Sequence, residues 1–198
     1  MPAISTRPPI PAGPDETTLV AQAKHDRHAF SLLYHRYVED VYRYCYRRLG
    51  SKEEAEDATS QVFTKALAGI ARLGDQPFRA WLFTIAHNVV ADTHRARRRA
   101  VPATAAQDAG TADAIDPDLT PEAQLLAAED GRFIRMLLAQ LPADSRHLLE
   151  LRLAGLTDAE IATVLGKSHG AVRTAQHRTV VRLRELRAAI EESERVRV

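Results

Sequence analysis

The chain has 198 residues, with 27 Lys plus Arg against 26 Asp plus Glu, a formal net charge of +1 and one cysteine. That length suits one mid-sized domain or two small ones. No run approaches the roughly 20 apolar residues that cross a bilayer, and residues 1–14 lack the apolar core of a secretory signal.

Pro2, Pro8, Pro9, Pro11 and Pro14 fix backbone angles and remove amide donors, so residues 1–14 read as an unstructured tail. From about Asp15 the pattern turns helical. Phe30, Leu33, Tyr34, Tyr37, Val38, Val41 and Cys45 recur at spacings of three and four, laying an apolar stripe along a helix that ends at Leu49 and Gly50. Cys45 is expected to be a small buried hydrophobe in a reducing cytoplasm, since a lone thiol forms no internal disulfide. Ser51 and Glu54 make a capping-box pattern, after which Ala55, Ala58, Val62, Phe63, Ala66 and Leu67 supply a buried face. The acids Glu53, Glu54, Glu56 and Asp57 sit at the positive pole of this helix. Pro77 suits the first turn of another helix, which runs through Trp81, Leu82, Ile85, Ala86, Val89 and Val90 into Arg95, Arg97, Arg98 and Arg99. Residues 100–131 hold seven acids and no Lys or Arg before Arg132, and 101–120 read as a flexible acidic linker spanning roughly 25 Å. Thr120-Pro121 then opens a helix with Leu125, Leu126, Phe133, Ile134, Leu137 and Leu138.

The most informative segment is LTDAEIATVLGKSHGAVRTAQHRTVVRLREL, residues 156–186. Thr157 and Glu160 form a second capping box, Ile161, Val164 and Leu165 face a core, Gly166 closes the helix and Ser168 caps the next. Two helices joined by a tight glycine turn present the second to a DNA major groove. Steps of 100° gather Val172, Ala175, Gln176, Thr179, Leu183, Leu186 and Ile190 on its inner side. Arg173, Thr174 and His177 are then placed for base edges, and Lys167, Arg178 and Arg182 for phosphates. The amides of Ser168 and His169 open the helix, where an anion is favoured. A solvated basic face is the plain alternative for one such helix, but caps, turn and exposed cations together point to DNA.

The ordered motifs resemble the extracytoplasmic-function (ECF) sigma factors of the sigma-70 superfamily. AEDATSQVFTKAL (55–67) is similar to the family's polymerase-binding helix, and FRAWLFTIAHNVVADTHRARRR (78–99) to its promoter-melting, minus-ten helix. LPADSRHLLELRLAGLTDAEIATVLGKSHGAVRTAQHR (141–178) is similar to its minus-thirty-five domain. The resemblance implies an all-α chain of two small helical domains, a sigma-2 bundle (15–100) and a sigma-4 helix-turn-helix domain (121–198), joined by the acidic linker. It implies that Glu54, Asp57, Ser60, Gln61 and Phe63 meet the clamp helices of the largest subunit of core RNA polymerase, with the flap of the second-largest subunit as a further partner. It places Asp75, Gln76, Phe78, Arg79, Trp81, Asn88, Asp92, Arg95 and Arg98 at minus-ten DNA, and it implies a cognate anti-sigma factor. For Trp81 the spacing with Leu82 and Ile85 argues equally for a core position. Two positions depart from the family's habit: Ser60-Gln61 where Gln-Glu is frequent, and His87 where Arg is frequent.

No catalytic chemistry, cofactor or metal is expected. The eight histidines are scattered without ligand spacing, and no phosphate loop, dinucleotide fingerprint or nucleophile elbow is present in the sequence. The competing class is a stand-alone helix-turn-helix regulator, which binds an operator without polymerase.

Overall fold

The structure is a computed structural model that describes residues 15–100 and 140–196. The tail, the acidic linker and the helix expected around Leu125 to Leu138 lie outside the described residues. Among the described residues every regular element is helical.

Helix α1 (Glu16–Ala23) buries Leu19 and Ala23, and the Tyr37 hydroxyl of the following helix donates to the Glu16 carboxylate, tying the two together. Asp26 caps α2 (Arg27–Leu49) by accepting from the His28 amide at 2.8 Å. Gly50 ends it at φ 72°, a left-handed conformation that glycine takes without a Cβ penalty. Cys45 is fully buried, and burial pushes its thiol up to about 12.

Ser51 caps α3 (Lys52–Gly69), accepting from the Glu54 amide at 3.4 Å. The reciprocal half of the expected capping box is absent, because the Glu54 carboxylate is taken by Arg97 of the next long helix. Arg97 also donates to the Leu49 carbonyl at 2.9 Å, so one arginine joins its own helix to α2 and α3. After a 3-10 turn at Ile70–Arg72, α4 (Phe78–Ala100) starts with the Trp81 amide on the Pro77 carbonyl at 3.1 Å. Pro77 therefore sits just ahead of the helix rather than in its first turn.

Beyond the undescribed stretch come α5 (Ala143–Leu153), α6 (Asp158–Leu165) and α7 (His169–Val196). The Thr157–Glu160 capping box is complete: the Thr157 side chain accepts from the Glu160 amide and the Glu160 carboxylate accepts from the Thr157 amide at 2.7 Å. Thr157→Ala is expected to cost about 0.5–2 kcal/mol of stability, measured by urea unfolding, and a cost within error of zero would mean that water replaces the cap.

The two helical groups share one core. A continuous cluster of buried residues runs from Leu33, Val41 and Val62 through Phe83 to Leu151, Leu156 and Ile161. Tyr44, not named in the sequence reading although it lies three residues after Val41, is fully buried where its ring meets Phe83 edge-on at 5.6 Å and faces α5. Leu67, assigned to the buried face of α3, is instead exposed. A smaller cluster joins Leu141 to Leu186, with Leu149, Leu183 and Ile190 packed against it.

Candidate nucleic-acid interface

The helix-turn-helix is built as its local signals dictate. Gly166 adopts φ 61° to end α6, and Ser168 Oγ accepts from the Ala171 amide at 3.2 Å to begin α7. Val172, Thr179 and Leu186 are buried, which fixes the rotation of α7. The Thr179 hydroxyl is satisfied by the Ala175 carbonyl, and Gln176 donates to Asp158 at 2.8 Å, locking α7 against the start of α6.

That rotation leaves Arg173, Thr174, His177, Arg178 and Arg182 exposed along one side of α7, with Lys167, Ser168 and His169 exposed at its start. Lys167 pairs with Asp144 at 2.9 Å and Arg182 with Glu185 at 3.2 Å. Exposed pairs of this kind hold their partners weakly, so a phosphate competes for both cations at little cost.

On α4 the residues expected at minus-ten DNA fall into two groups. Asp75 and Gln76 are exposed in the loop before the helix, and Asn88, Asp92, Arg95 and Arg98 form an exposed stripe in which Arg95 meets Asp92 at 2.5 Å. Phe78 and Arg79 turn inward. Phe78 is 2% exposed between Tyr37 and Trp81, so the core has claimed it and a direct base contact from this conformation is ruled out. Arg79 donates to the Ala154 carbonyl of the α5–α6 turn at 2.5 Å. Trp81 is half-buried and lies over Gly69, where a Cβ would stand 3.1 Å from its ring. Arg97, grouped by sequence with the basic helix end, is withdrawn by Glu54.

On α3, Asp57, Ser60 and Gln61 are exposed, while Glu54 serves the pair with Arg97. Phe63 is buried at the base of a groove between α2 and α3, its ring edge-on to Tyr34 at 4.7 Å. Tyr34 and Leu67 expose apolar surface beside it. The periodicity that assigned both to a core was correct about their face and silent about its being an open groove.

A second feature was invisible in the sequence. His147 of α5 is buried, its Nε2 lies 2.9 Å from the Tyr44 hydroxyl, and its ring stacks on His87 at 4.6 Å and 18°. Beside it Glu150 is buried, with Arg48 at 3.2 Å. Burial, then Arg48, His87 and Lys167, push His147 down to about 3, with Asp144 acting the other way. Burial also lowers His87 and raises Glu150.

Known proteins match both halves of the chain in order. The family described as Sigma-70 region 2 matches residues 33–100, and Sigma-70, region 4 matches residues 134–183. The chain is 38% identical over 191 residues to the ECF RNA polymerase sigma factor ShbA of Streptomyces griseus subsp. griseus, covering 87% of this chain and 97% of ShbA. It is 38% identical over 154 residues to the ECF sigma factor SigD of Mycobacterium tuberculosis, covering 73% and 70%. The solved structure of CnrH in complex with the cytosolic domain of CnrY is similar at a TM-score of 0.65 and 25% identity, covering 88% of this chain and 97% of that one. With both regions matched in order and a relative of this identity aligned along nearly its whole length, the chain belongs to the ECF RNA polymerase sigma factors.

Proposed function

We propose that this sigma factor divides its work between a module at 15–100, which grips core RNA polymerase and opens minus-ten DNA, and a module at 121–198, which reads the minus-thirty-five box. The observation that carries the reading is the doubly capped helix-turn-helix, whose packed inner face leaves Arg173, Thr174 and His177 exposed together on a chain of this family. Asp57, Ser60 and Gln61, with Phe63 beneath them, are the proposed surface for the clamp helices, and the polymerase flap is the proposed partner of the second module. Asp75, Gln76, Asn88, Asp92, Arg95 and Arg98 are the proposed minus-ten set. Holding an extruded base by stacking and hydrogen bonds offsets the few kcal/mol of its unstacking, so melting needs no chemistry from the subunit.

No helix among the described residues is long and apolar enough to cross a membrane. The proposed place of action is the cytoplasm, at the nucleoid during initiation. A cognate anti-sigma factor is the proposed inhibitor, and the similar CnrH is itself solved in complex with another protein, the cytosolic domain of CnrY.

Run-off transcription with and without core polymerase tests the reading. Specific product only with core supports it, whereas tight operator binding by the protein alone and no product with core would indicate a stand-alone regulator. In the same assay Arg173→Ala is expected to lower use of the preferred minus-thirty-five sequence by about 5- to 150-fold, the roughly 1–3 kcal/mol of a bidentate base contact. Equal loss at every sequence would move Arg173 to the phosphate backbone.

A further inference from the structure

The buried anchors of α7 leave a gap between them. Val172 and Thr179 are buried about two turns apart, while Ala175 and Gln176 in between are only half-buried. The side chains placed for base edges, Arg173, Thr174 and His177, leave the helix in this same stretch. Here the tie to the rest of the module includes a directional bond: Gln176 Nε2 donates to Asp158 Oδ1, in the first turn of α6, at 2.8 Å. A carboxylate only accepts, so the nitrogen of the Gln176 amide must face it, and the amide has one orientation rather than two.

Asp158 is itself held. Arg152 of α5 places Nη1 3.2 Å from the same Oδ1 and 3.1 Å from the Leu156 carbonyl, so its guanidinium bridges the α5–α6 turn and keeps the carboxylate from swinging away. One carboxylate oxygen thus joins α5 to α7 through α6. With the Arg152 side chain 54% exposed, this ion pair adds little to stability. What the network supplies is direction. Apolar burial is non-directional and tolerates a small roll of α7, whereas a hydrogen bond weakens outside a window of about 0.5 Å. A group on the surface of a helix stands roughly 5–6 Å from its axis, so a roll of about 10° carries it about 1 Å. That is enough to break a bidentate contact to a base while the phosphates stay within reach of Lys167, Arg178 and Arg182.

We propose that Asp158 is a positioning residue for minus-thirty-five reading, tying Arg152 to Gln176 so that α7 meets the major groove at one rotation. Its role is indirect: it acts through Gln176 on the flanking Arg173, Thr174 and His177. The proposal rests on the assignment of α7 to the minus-thirty-five box.

The test is run-off transcription by the full chain with core polymerase, on a promoter bearing the minus-thirty-five sequence preferred from a randomised box and on versions with single base changes in it. The readout is the ratio of use between right and wrong bases. Asp158→Ala is expected to lower that ratio about tenfold, the loss of a displaced base contact. Gln176→Ala is expected to do the same, and the double variant to add nothing further, as for two residues acting as a unit. Asp158→Asn keeps an acceptor oxygen for the Gln176 amide and is expected to bring the ratio back to within about twofold of the unaltered chain. Ile161→Val removes buried packing from α6 and no directional bond, and is expected to leave the ratio unchanged. An unchanged ratio in Asp158→Ala would overturn the role of Asp158, as would an equal fall in Asp158→Asn or in Ile161→Val. Should the unaltered chain show no preference among these promoters, the assignment of α7 to the minus-thirty-five box fails, and the role of Asp158 with it.

Discussion

Phe83→Ala is expected to lower the unfolding free energy by about 3–5 kcal/mol at pH 7, the largest effect of any single truncation in α4. Phe83 has no exposed surface and meets Tyr44 edge-on, and Tyr44 in turn reaches His147. The ring therefore lies where the core of the first module passes into the second, and removing it leaves a cavity lined by both. Urea unfolding supplies the measurement. A lower midpoint with an unchanged slope is the signature of lost packing in a still cooperative unit. The exposed neighbour Asn88, changed to Ala, is expected to stay within about 0.5 kcal/mol and serves as the control. A cost below about 1 kcal/mol for Phe83→Ala would mean that water or a rearranged Tyr44 already fills the site, and the shared core would have to be abandoned.

What the sequence made legible is what depends on near neighbours. Gly50, Thr157 with Glu160, Gly166 and Ser168 each act on amides or carbonyls within four residues, so their roles were readable from spacing alone. The inner face of α7 was readable for the same reason, since Val172, Thr179 and Leu186 repeat at the helical period. Tyr44, Phe83, His147 and Glu150 were not. Tyr44 falls on the stripe of α2, three residues after Val41, but spacing does not say what covers it, and His147 and Glu150 are residue types that belong at a surface unless something distant covers them. The distant element is the other module, more than a hundred residues away along the chain from Tyr44. Glu54 was half legible: its amide does what a capping box predicts, while its carboxylate answers to Arg97, 43 positions on. Phe78 and Arg79 show the same limit at the proposed minus-ten site. Their position on the helix was readable, and their engagement by Tyr37, Trp81 and Ala154 was a matter of tertiary contact.

Arg48→Ala is expected to cost about 3–5 kcal/mol at pH 7, and much less near pH 4. The Glu150 side chain is 2% exposed, Arg48 Nη1 lies 3.2 Å from its Oε2, and its Oε1 has no hydrogen-bond partner. Burial raises the Glu150 pKa and Arg48 lowers it, so without Arg48 the carboxyl is driven further up. An acid whose folded pKa exceeds its unfolded value of 4.5 penalises the fold where it is ionised only in the unfolded chain, which is above pH 4.5. The penalty therefore grows as pH rises from 4.5 and disappears below it, where Glu150 is neutral in both states. Arg48 also lowers His147, and its removal eases proton uptake there, which again favours the variant on the acid side. Both effects give the same sign for the difference between the two proteins, measured as paired unfolding free energies at pH 4, 5, 6 and 7. The double change Arg48→Met, Glu150→Leu is expected to recover most of the loss, because an apolar pair of similar volume removes the uncompensated charge along with its partner. A penalty that stays constant across this range would assign the role of Arg48 to the packing of its aliphatic stem instead.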